Sequence, residues 1–262
     1  MKRYIKLIIV VAVVIVFSQI GYSENLFNQK DTLTQVSTID ALLSGVYDGE
    51  MTIKELKKYG DLGLGSFNSL DGEMLAIDGR FYQVTSDGRA KQADINMKTP
   101  FAAVTFFEVD HRVNLRHGVN FNSLKEQMDN MISTPNIFYA IRIKGVFKAM
   151  KTRSVPKQSK PYEPLKEIVR NQPVFNFKNV KGTMVGFRCP PYVKGINVPG
   201  YHLHFLTEDG KAGGHVLEFM VQEAVLEVDE TSRFSIILPQ NKAFYDADLT
   251  SDKQGDLKKI ER

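Results

Sequence analysis

The sequence has 262 residues, of which 43% are hydrophobic and 24% charged, so it can build one large globular domain or two small ones. The formal charge is +4, but three of the 34 basic residues fall within the first six positions, and without them 31 basic residues balance 30 acidic ones. No basic patch remains to favour a nucleic-acid partner. The single cysteine, Cys189, excludes an internal disulfide, and we expect it to pack rather than to act as a nucleophile.

Residues 1–23 have the pattern of an export signal. A positively charged start precedes an apolar run over 7–17, which is short for a membrane-spanning helix. Gly21 and Ser23 supply the small residues that signal cleavage requires, so the sequence predicts cleavage after Ser23. The protein would then be exported and free of the membrane. The alternative is an uncleaved signal that anchors the protein.

The next segments predict a polar leader followed by two short helices. Residues 24–35 are polar and are expected to be mobile. A helix over 37–43 would be capped by its first residue, a serine. A second helix over 52–59 opens with a capping box formed by Thr52 and Glu55.

A β-meander is predicted from residue 61 onward. Three Asp-Gly pairs, at 71–72, 78–79 and 87–88, separate short alternating runs, which is typical of antiparallel strands joined by tight turns. Glu73 shares one face of its strand with apolar residues. It is therefore either a strand-end charge that reaches solvent or an inward carboxylate that serves a site.

The remaining chain alternates strands with occasional helices. Strands are predicted over 101–109, 136–150 and 175–191 and helices over 122–132 and 164–171, and two more strands follow the segment rich in histidine. His111 and His117 lie in a polar loop and are interpreted as surface residues. Arg153 ends a long strand, and the pattern alone does not single it out.

These elements predict a mixed α and β (α/β) fold with two sheet-containing lobes and a few short helices. A linker-like stretch over 156–161, rich in proline and lysine, places the lobe boundary between 36–155 and 156–245. The last residues, 246–262, are polar and charged, and by composition they are predicted to be a disordered tail.

Three of the five histidines in the chain fall in one short stretch, GYHLHFLTEDGKAGGHVLEF. His202 and His204 alternate with apolar residues and therefore point to the same face of a strand. A turn-forming segment follows, and a hairpin that pairs residues 206 and 213 sets His204 directly opposite His215. The sequence thus predicts three imidazoles on one face of a β-hairpin.

Such a cluster suits a divalent metal ion with a position left open for water or substrate. The simpler interpretation is that these are ordinary strand histidines, but three neutral imidazoles without a metal would compete for hydrogen-bond partners. Zinc is the first expectation, and imidazole ligands also suit iron, copper and nickel.

Several long motifs resemble the α-acetolactate decarboxylase family. They are YDGEMTIKELKKYGDLGLGSFNSLDGEM, FYAIRIKGVFKAMKTRSVP and the histidine hairpin itself, and the similarity extends over about 33–245. The resemblance implies a homodimeric zinc enzyme of acetoin biosynthesis that converts 2-acetolactate to (R)-acetoin and carbon dioxide. The metal ligands that it implies are the same three residues, His202, His204 and His215.

The resemblance also implies roles for residues that spacing alone does not select. The active-site glutamate of the LDGE motif falls on Glu73, and the active-site arginine falls on Arg153. A glutamate of the C-terminal tail that folds back to the metal falls on Glu261, which is chosen by position rather than by a motif. A hydroxyl residue of the G-x-G-[ST]-F segment matches Ser66, where serine stands in place of the more usual threonine.

The expected chemistry follows from the substrate. Loss of carbon dioxide from a β-keto acid pushes an electron pair into the ketone and leaves an enediolate. A zinc ion chelated by the hydroxyl and ketone oxygens would stabilise this charge without an organic cofactor. Arg153 would hold the carboxylate, and Glu73 and Glu261 would handle protons, although the sequence leaves open which group protonates the enediolate.

Two other classes of protein are compatible with parts of the pattern. A cupin-like metal oxygenase or isomerase also carries His-x-His followed by a glutamate, and Glu208 stands at about that place, but the second cupin motif is absent. A non-catalytic exported metal-binding or carbohydrate-binding β protein would need no partners such as Glu73 and Arg153.

Overall fold

The structure is a computed structural model that describes residues 30–261. The predicted signal peptide, residues 1–23, lies outside the described part of the chain. Two β-sheets and a few short helices make up the described residues, which confirms the mixed α and β fold. Within residues 30–261 no helix is both long enough and apolar enough to cross a bilayer.

The first sheet has seven strands in the order β12-β1-β6-β2-β3-β4-β5. Its strands are β1 (Thr32–Val36), β2 (Leu62–Ser66), β3 (Glu73–Ile77), β4 (Arg80–Val84), β5 (Ala90–Gln92), β6 (Ala102–Thr105) and β12 (Arg233–Ile237). β1 and β12 run parallel, and β2 to β5 form the predicted meander. Asp78 and Gly79, with φ of 49° and 72°, make the two-residue turn between β3 and β4, as their Asp-Gly sequence predicts.

The second sheet is antiparallel and has five strands in the order β10-β9-β8-β11-β7. Its strands are β7 (His111–Leu115), β8 (Phe138–Arg153), β9 (Val174–Cys189), β10 (Gly200–Thr207) and β11 (Gly213–Thr231). β10 pairs with β11 as well as with β9, so four strands close on themselves at the end that carries the histidines.

Six α-helices connect or cover the sheets in the described chain. They are α1 (Ile39–Leu43), α2 (Ile53–Leu56), α3 (Phe121–Met131), α4 (Leu165–Ile168), α5 (Lys242–Tyr245) and α6 (Gln254–Ile260). The predicted capping box of Thr52 and Glu55 is confirmed at α2. At α1 the cap is Thr38 instead of the predicted Ser37, because the Thr38 hydroxyl accepts the N–H of Ala41.

The predicted lobe boundary at 155–156 does not separate the two sheets. β7 and β8 precede it but belong to the second sheet, whereas β12 follows it but completes the first. Side chains of both sheets, such as Leu64 and Phe187, pack in one shared cluster. The division into 36–155 and 156–245 is therefore corrected, since strands pair with partners that are distant in the chain.

Parts of two segments that composition assigned to mobile or disordered polar chain form regular structure within residues 30–261. Within the predicted leader, residues 32–35 belong to β1, where the amide of buried Gln35 donates to the Ile196 carbonyl (2.7 Å) and accepts from Asn197 (2.7 Å). Hydrogen bonding thus offsets the cost of burying these polar groups. Within the predicted disordered tail, α6 buries Leu257 and Ile260, which are spaced to lie on one face of a helix.

Candidate metal centre and active site

The histidine hairpin has the predicted register. His204 is paired with His215 across β10 and β11, and His202 lies two residues earlier on the same face. All three side chains are buried. His202 Nε2 lies 3.1 Å from His215 Nδ1 and 3.2 Å from His204 Nε2, and the candidate ligand atoms all lie within 4.8 Å of one another.

The start of β11 requires a glycine next to this cluster. Gly214 has a φ of 133°, and a Cβ atom there would lie 2.3 Å from the carbonyl oxygen of Arg153. The absence of a side chain lets β11 enter beside β8 and brings His215 level with Arg153 in the sheet.

Hydrogen bonding orients the imidazole rings so that an unprotonated ring nitrogen of His204 faces His202. His204 Nδ1 lies 2.8 Å from the carbonyl oxygen of Met74 on β3, so this nitrogen carries the proton and donates it. His204 Nε2 therefore presents a lone pair to His202. His202 has a buried Nδ1 without a hydrogen-bond partner among the described residues.

The three imidazoles are held neutral. Burial, and then the charge of Arg153, lowers the pKa of His202 to about 3. Burial also lowers the pKa values of His204 and His215 well below their usual range, with the neighbouring rings adding to the effect. Converging neutral ring nitrogens are the form in which histidine binds a metal, and these three residues could hold one.

Two carboxyl groups lie beside the cluster. Glu73, the first residue of β3, places Oε2 3.6 Å from His204 Nε2. Glu261, which follows α6, places Oε2 3.7 Å from His215 Nε2. Burial raises the pKa of each carboxyl to about 7; the charge of Arg153 opposes the shift at both, and Glu261 adds to it at Glu73. Near neutral pH each group can therefore hold or release a proton.

Arg153 and Ser66 complete the polar lining. The guanidinium of Arg153 donates from Nη2 to the Ile260 carbonyl (2.9 Å) and from Nη1 to the Gln172 side-chain oxygen (2.7 Å). Its Nε is buried without a partner among the described residues. Ser66 is paired with Glu73 in the sheet, and its hydroxyl donates to the Gly72 carbonyl (2.8 Å), which leaves the oxygen lone pairs as acceptors.

These side chains line one cavity of about 40 Å³. The predicted site residues are all in its wall: Ser66, Glu73, Arg153, His202, His204, His215 and Glu261. The rest of the wall is apolar and comes from α1, α4, α6 and the loops beside them, including Leu70 and Phe101. A cavity of this size holds only a few water molecules, so a ligand within it would be largely removed from solvent.

Four residues that the sequence analysis considered lie outside the cavity lining. Glu208, which a cupin-like centre would need, is exposed and pairs with Lys181 at 2.7 Å. Cys189 is buried in the core between the sheets, and burial raises the pKa of its thiol to about 12, so it packs as predicted. His111 and His117 are outside the cavity lining.

Sequence reasoning missed Gln172 and the apolar wall formed by α6. Nothing near Gln172 in the chain marks it, because its partner Arg153 ends β8 whereas Gln172 lies in the segment before β9. The wall could have been found from the spacing of Leu257 and Ile260.

The cavity combines three buried imidazoles that could hold a metal, two carboxyls that exchange protons near neutral pH and a buried guanidinium. This combination defines an enzyme that acts on a small molecule.

Comparison with known proteins also indicates an enzyme of this kind. The profile of the alpha-acetolactate decarboxylase family matches residues 33–251. A Methanosarcina mazei protein named alpha-acetolactate decarboxylase is 49% identical over 235 residues, covering 90% of this chain and 82% of its own length.

A protein from Bacillus subtilis strain 168 is similar to this chain in both sequence and structure. The alpha-acetolactate decarboxylase of that strain is 43% identical over 215 residues, covering 82% of this chain and 84% of its own. The crystal structure of alpha-acetolactate decarboxylase from that strain superposes with a TM-score of 0.86 at 41% identity, covering 88% of this chain and 99% of that one. The chain belongs to the alpha-acetolactate decarboxylase family and is a carboxy-lyase.

Proposed function

We propose that this chain catalyses the zinc-dependent decarboxylation of 2-acetolactate to (R)-acetoin and carbon dioxide. The observation that supports it most is the convergence of three histidine ligand atoms within 4.8 Å of one another, in the same cavity as Glu73, Arg153 and Glu261. A metal alone would need only the histidines, whereas a β-keto acid also needs a cation for its carboxylate and a group that exchanges protons.

The three histidines fit a zinc ion because they are neutral and because His202 Nε2 lies 3.1 Å from His215 Nδ1 and 3.2 Å from His204 Nε2, so that ring nitrogens converge where a cation could bind. Zinc bound there would supply a Lewis acid for the substrate's hydroxyl and ketone oxygens and so favour the enediolate over the intact carboxylate. His204 would be held in its ligating tautomer by the carbonyl of Met74.

Arg153 binds the substrate carboxylate in this proposal. Its Nε–H is the buried donor that no described residue satisfies, and its charge is screened little at 4% side-chain exposure. The contact also aligns the breaking C–C bond. It must weaken as neutral carbon dioxide forms, so Arg153 contributes mainly to binding and orientation.

Glu73, beside His204, and Glu261, beside His215, handle protons in this proposal. With pKa values near 7, either carboxylate can accept the proton of the tertiary hydroxyl and, once protonated, deliver it to carbon, while a second proton from water restores the hydroxyl because loss of carbon dioxide consumes one proton overall. Delivery from one side decides the chirality of acetoin. Ser66 offers its hydroxyl oxygen beside Glu73 and contributes to substrate orientation.

The experiment that tests the function is acetoin release from racemic 2-acetolactate by purified residues 24–262. The protein is assayed as purified, after chelation, and after zinc, iron or manganese is added back, with chiral analysis of the product. Release that disappears with chelation and returns with zinc supports the proposal. A folded, zinc-loaded protein that releases no acetoin would overturn it.

We expect Glu73→Gln to keep zinc but to lower kcat by about 10²–10³-fold, because the amide cannot accept and return a proton. The measurement is kcat together with zinc content by elemental analysis. Glu126→Gln, an exposed change on α3, is the matched control. Loss of zinc in Glu73→Gln would make Glu73 a ligand, and unchanged kcat would remove it from the chemistry.

We further propose that the protein is a homodimer and is exported with cleavage after Ser23. The family resemblance supports the first proposal, and the charged and apolar pattern of residues 1–23 supports the second. Light scattering during gel filtration measures the assembly, and a monomer would contradict it. Amino-terminal sequencing of the protein recovered from the culture medium or cell envelope measures the cleavage, and an intact leader would favour the anchored alternative.

A further inference from the structure

We infer that Gln172 is a positioning residue for Arg153, which fixes the guanidinium toward the substrate carboxylate without neutralising its charge. The inference rests on the proposed function, because it concerns how Arg153 binds that carboxylate. Gln172 is absent from the cavity lining, and its side chain accepts a hydrogen bond from Arg153, which does line the cavity.

Arg153 is tethered at both terminal nitrogens. Nη1 donates to Gln172 Oε1 at 2.7 Å, and Nη2 donates to the carbonyl oxygen of Ile260 at 2.9 Å. A guanidinium only donates hydrogen bonds, so the amide of Gln172 must present its oxygen. With both ends held, the plane of the guanidinium is fixed, and the unpartnered Nε–H remains for a ligand.

Both groups that accept hydrogen bonds from Arg153, the Gln172 side-chain amide and the Ile260 carbonyl, are uncharged. In a buried site this leaves the positive charge of the guanidinium unpaired by its tethers. Among residues 30–261, the carboxylate paired with Arg153 at the shortest distance is Glu261, whose Oε1 is 4.0 Å from Nη2, longer than a hydrogen bond. A carboxylate in the place of Gln172 would form a charge-assisted pair with the guanidinium and compete with the substrate. An amide supplies the same geometry and leaves the positive charge available.

The backbone of Gln172 is held in place as well. It ends the short helical turn after α4, where its N–H donates to the Val169 carbonyl (3.4 Å), and it precedes Pro173. The proline favours an extended conformation at Gln172, which has φ of −68° and ψ of 140°. The Pro173 carbonyl also accepts the N–H of Ser154, next to Arg153 (3.3 Å). The side chain is thus directed at Arg153 from a fixed base.

The test compares Gln172→Glu, which keeps the shape and adds charge, with Gln172→Ala, which removes the tether. We expect Gln172→Glu to raise KM for 2-acetolactate by about tenfold or more while kcat changes by less than about threefold, because the added carboxylate occupies the guanidinium. Gln172→Ala should lower kcat/KM by about tenfold, because Arg153 keeps its charge but loses its orientation. Gln222→Glu, the same change at an exposed position of β11, is the control and should leave both constants unaltered.

Two further measurements separate positioning from a structural role. Calorimetric titration with 2,3-dihydroxy-2-methylbutanoate, which carries the carboxylate but cannot decarboxylate, should show the same loss of affinity in Gln172→Glu. Inhibition by acetoin, which lacks the carboxylate, should stay within about twofold of the unsubstituted protein. Equal loss for both ligands, or KM and titration values within twofold in both variants, would overturn the inference.

A failure of this inference about Gln172 can be distinguished from a failure of the proposed function. If the unsubstituted protein does not release acetoin, the function fails, while the titration still reports how Arg153 binds a carboxylate. If the unsubstituted protein is active and the Gln172 variants match it, only the role of Gln172 fails.

Discussion

His204→Ala is expected to lower zinc content below one ion per chain and to reduce acetoin formation by at least about 10³-fold. The change removes one of three converging ring nitrogens, and a Lewis acid at such a centre contributes several kcal/mol of transition-state stabilisation, with about 1.4 kcal/mol corresponding to a tenfold change in rate. It also leaves the Met74 carbonyl without its donor.

Zinc content by elemental analysis and the initial rate of acetoin release are measured on the same sample. His117→Ala, at an exposed histidine outside the cavity, is the matched control and should match the unsubstituted protein. A His204→Ala protein that keeps one zinc per chain and full turnover would show that the metal, if functional, lies elsewhere.

Removal of residues 254–262 is expected to lower kcat/KM by at least about 10²-fold while zinc is retained. Three separate contributions disappear: the carboxyl of Glu261, the Ile260 carbonyl that tethers Arg153, and the apolar wall that excludes water. The three histidines come from β10 and β11 and remain in place. The truncated protein should also unfold several degrees lower, since buried Leu257 and Ile260 each contribute on the order of 1.5–3 kcal/mol.

Point variants divide this effect into its parts. Glu261→Gln removes only the carboxylate, Leu257→Ser weakens only the docking of α6, and Lys259→Ala, at an exposed position of the same helix, is the control. We expect Glu261→Gln to lower kcat and Leu257→Ser to raise KM. A truncated protein with unchanged kcat/KM would show that the tail plays no part in the reaction.

The local part of this centre could be predicted from the sequence, and the long-range part could not. Alternation in β10 and the turn before β11 are enough to bring His204 opposite His215, because both lie within one hairpin. The same alternation put Glu73 on the apolar face of β3 but left open whether its carboxylate reached solvent or served a site. Arg153 could not be selected in this way, since its place depends on the pairing of β8 with β11.

The ends of the described chain were misjudged for a related reason. Composition shows how polar a segment is, but it does not show whether the rest of the fold supplies hydrogen-bond partners for its polar groups. Gln35 is buried because Ile196 and Asn197 satisfy its amide, and these partners lie far along the chain. Lys258 and Lys259 of the tail are exposed, whereas Leu257 and Ile260 are buried and are enough to dock it. Family resemblance, rather than residue physics, pointed to Glu261.

The hydrogen bond from His204 to Met74 ties the candidate metal centre to overall stability. His204 belongs to the second sheet and Met74 to the first, so the orientation of the His204 ring depends on the packing of the two sheets. A metal that binds only this folded arrangement shifts the unfolding equilibrium by mass action, by about 4 kcal/mol when its free concentration is a thousandfold above Kd. Chelation should therefore lower the melting temperature of the whole protein by roughly 10 °C, in one cooperative transition. A melting curve unchanged by chelation and by zinc would mean that the packing of the two sheets is independent of the ion.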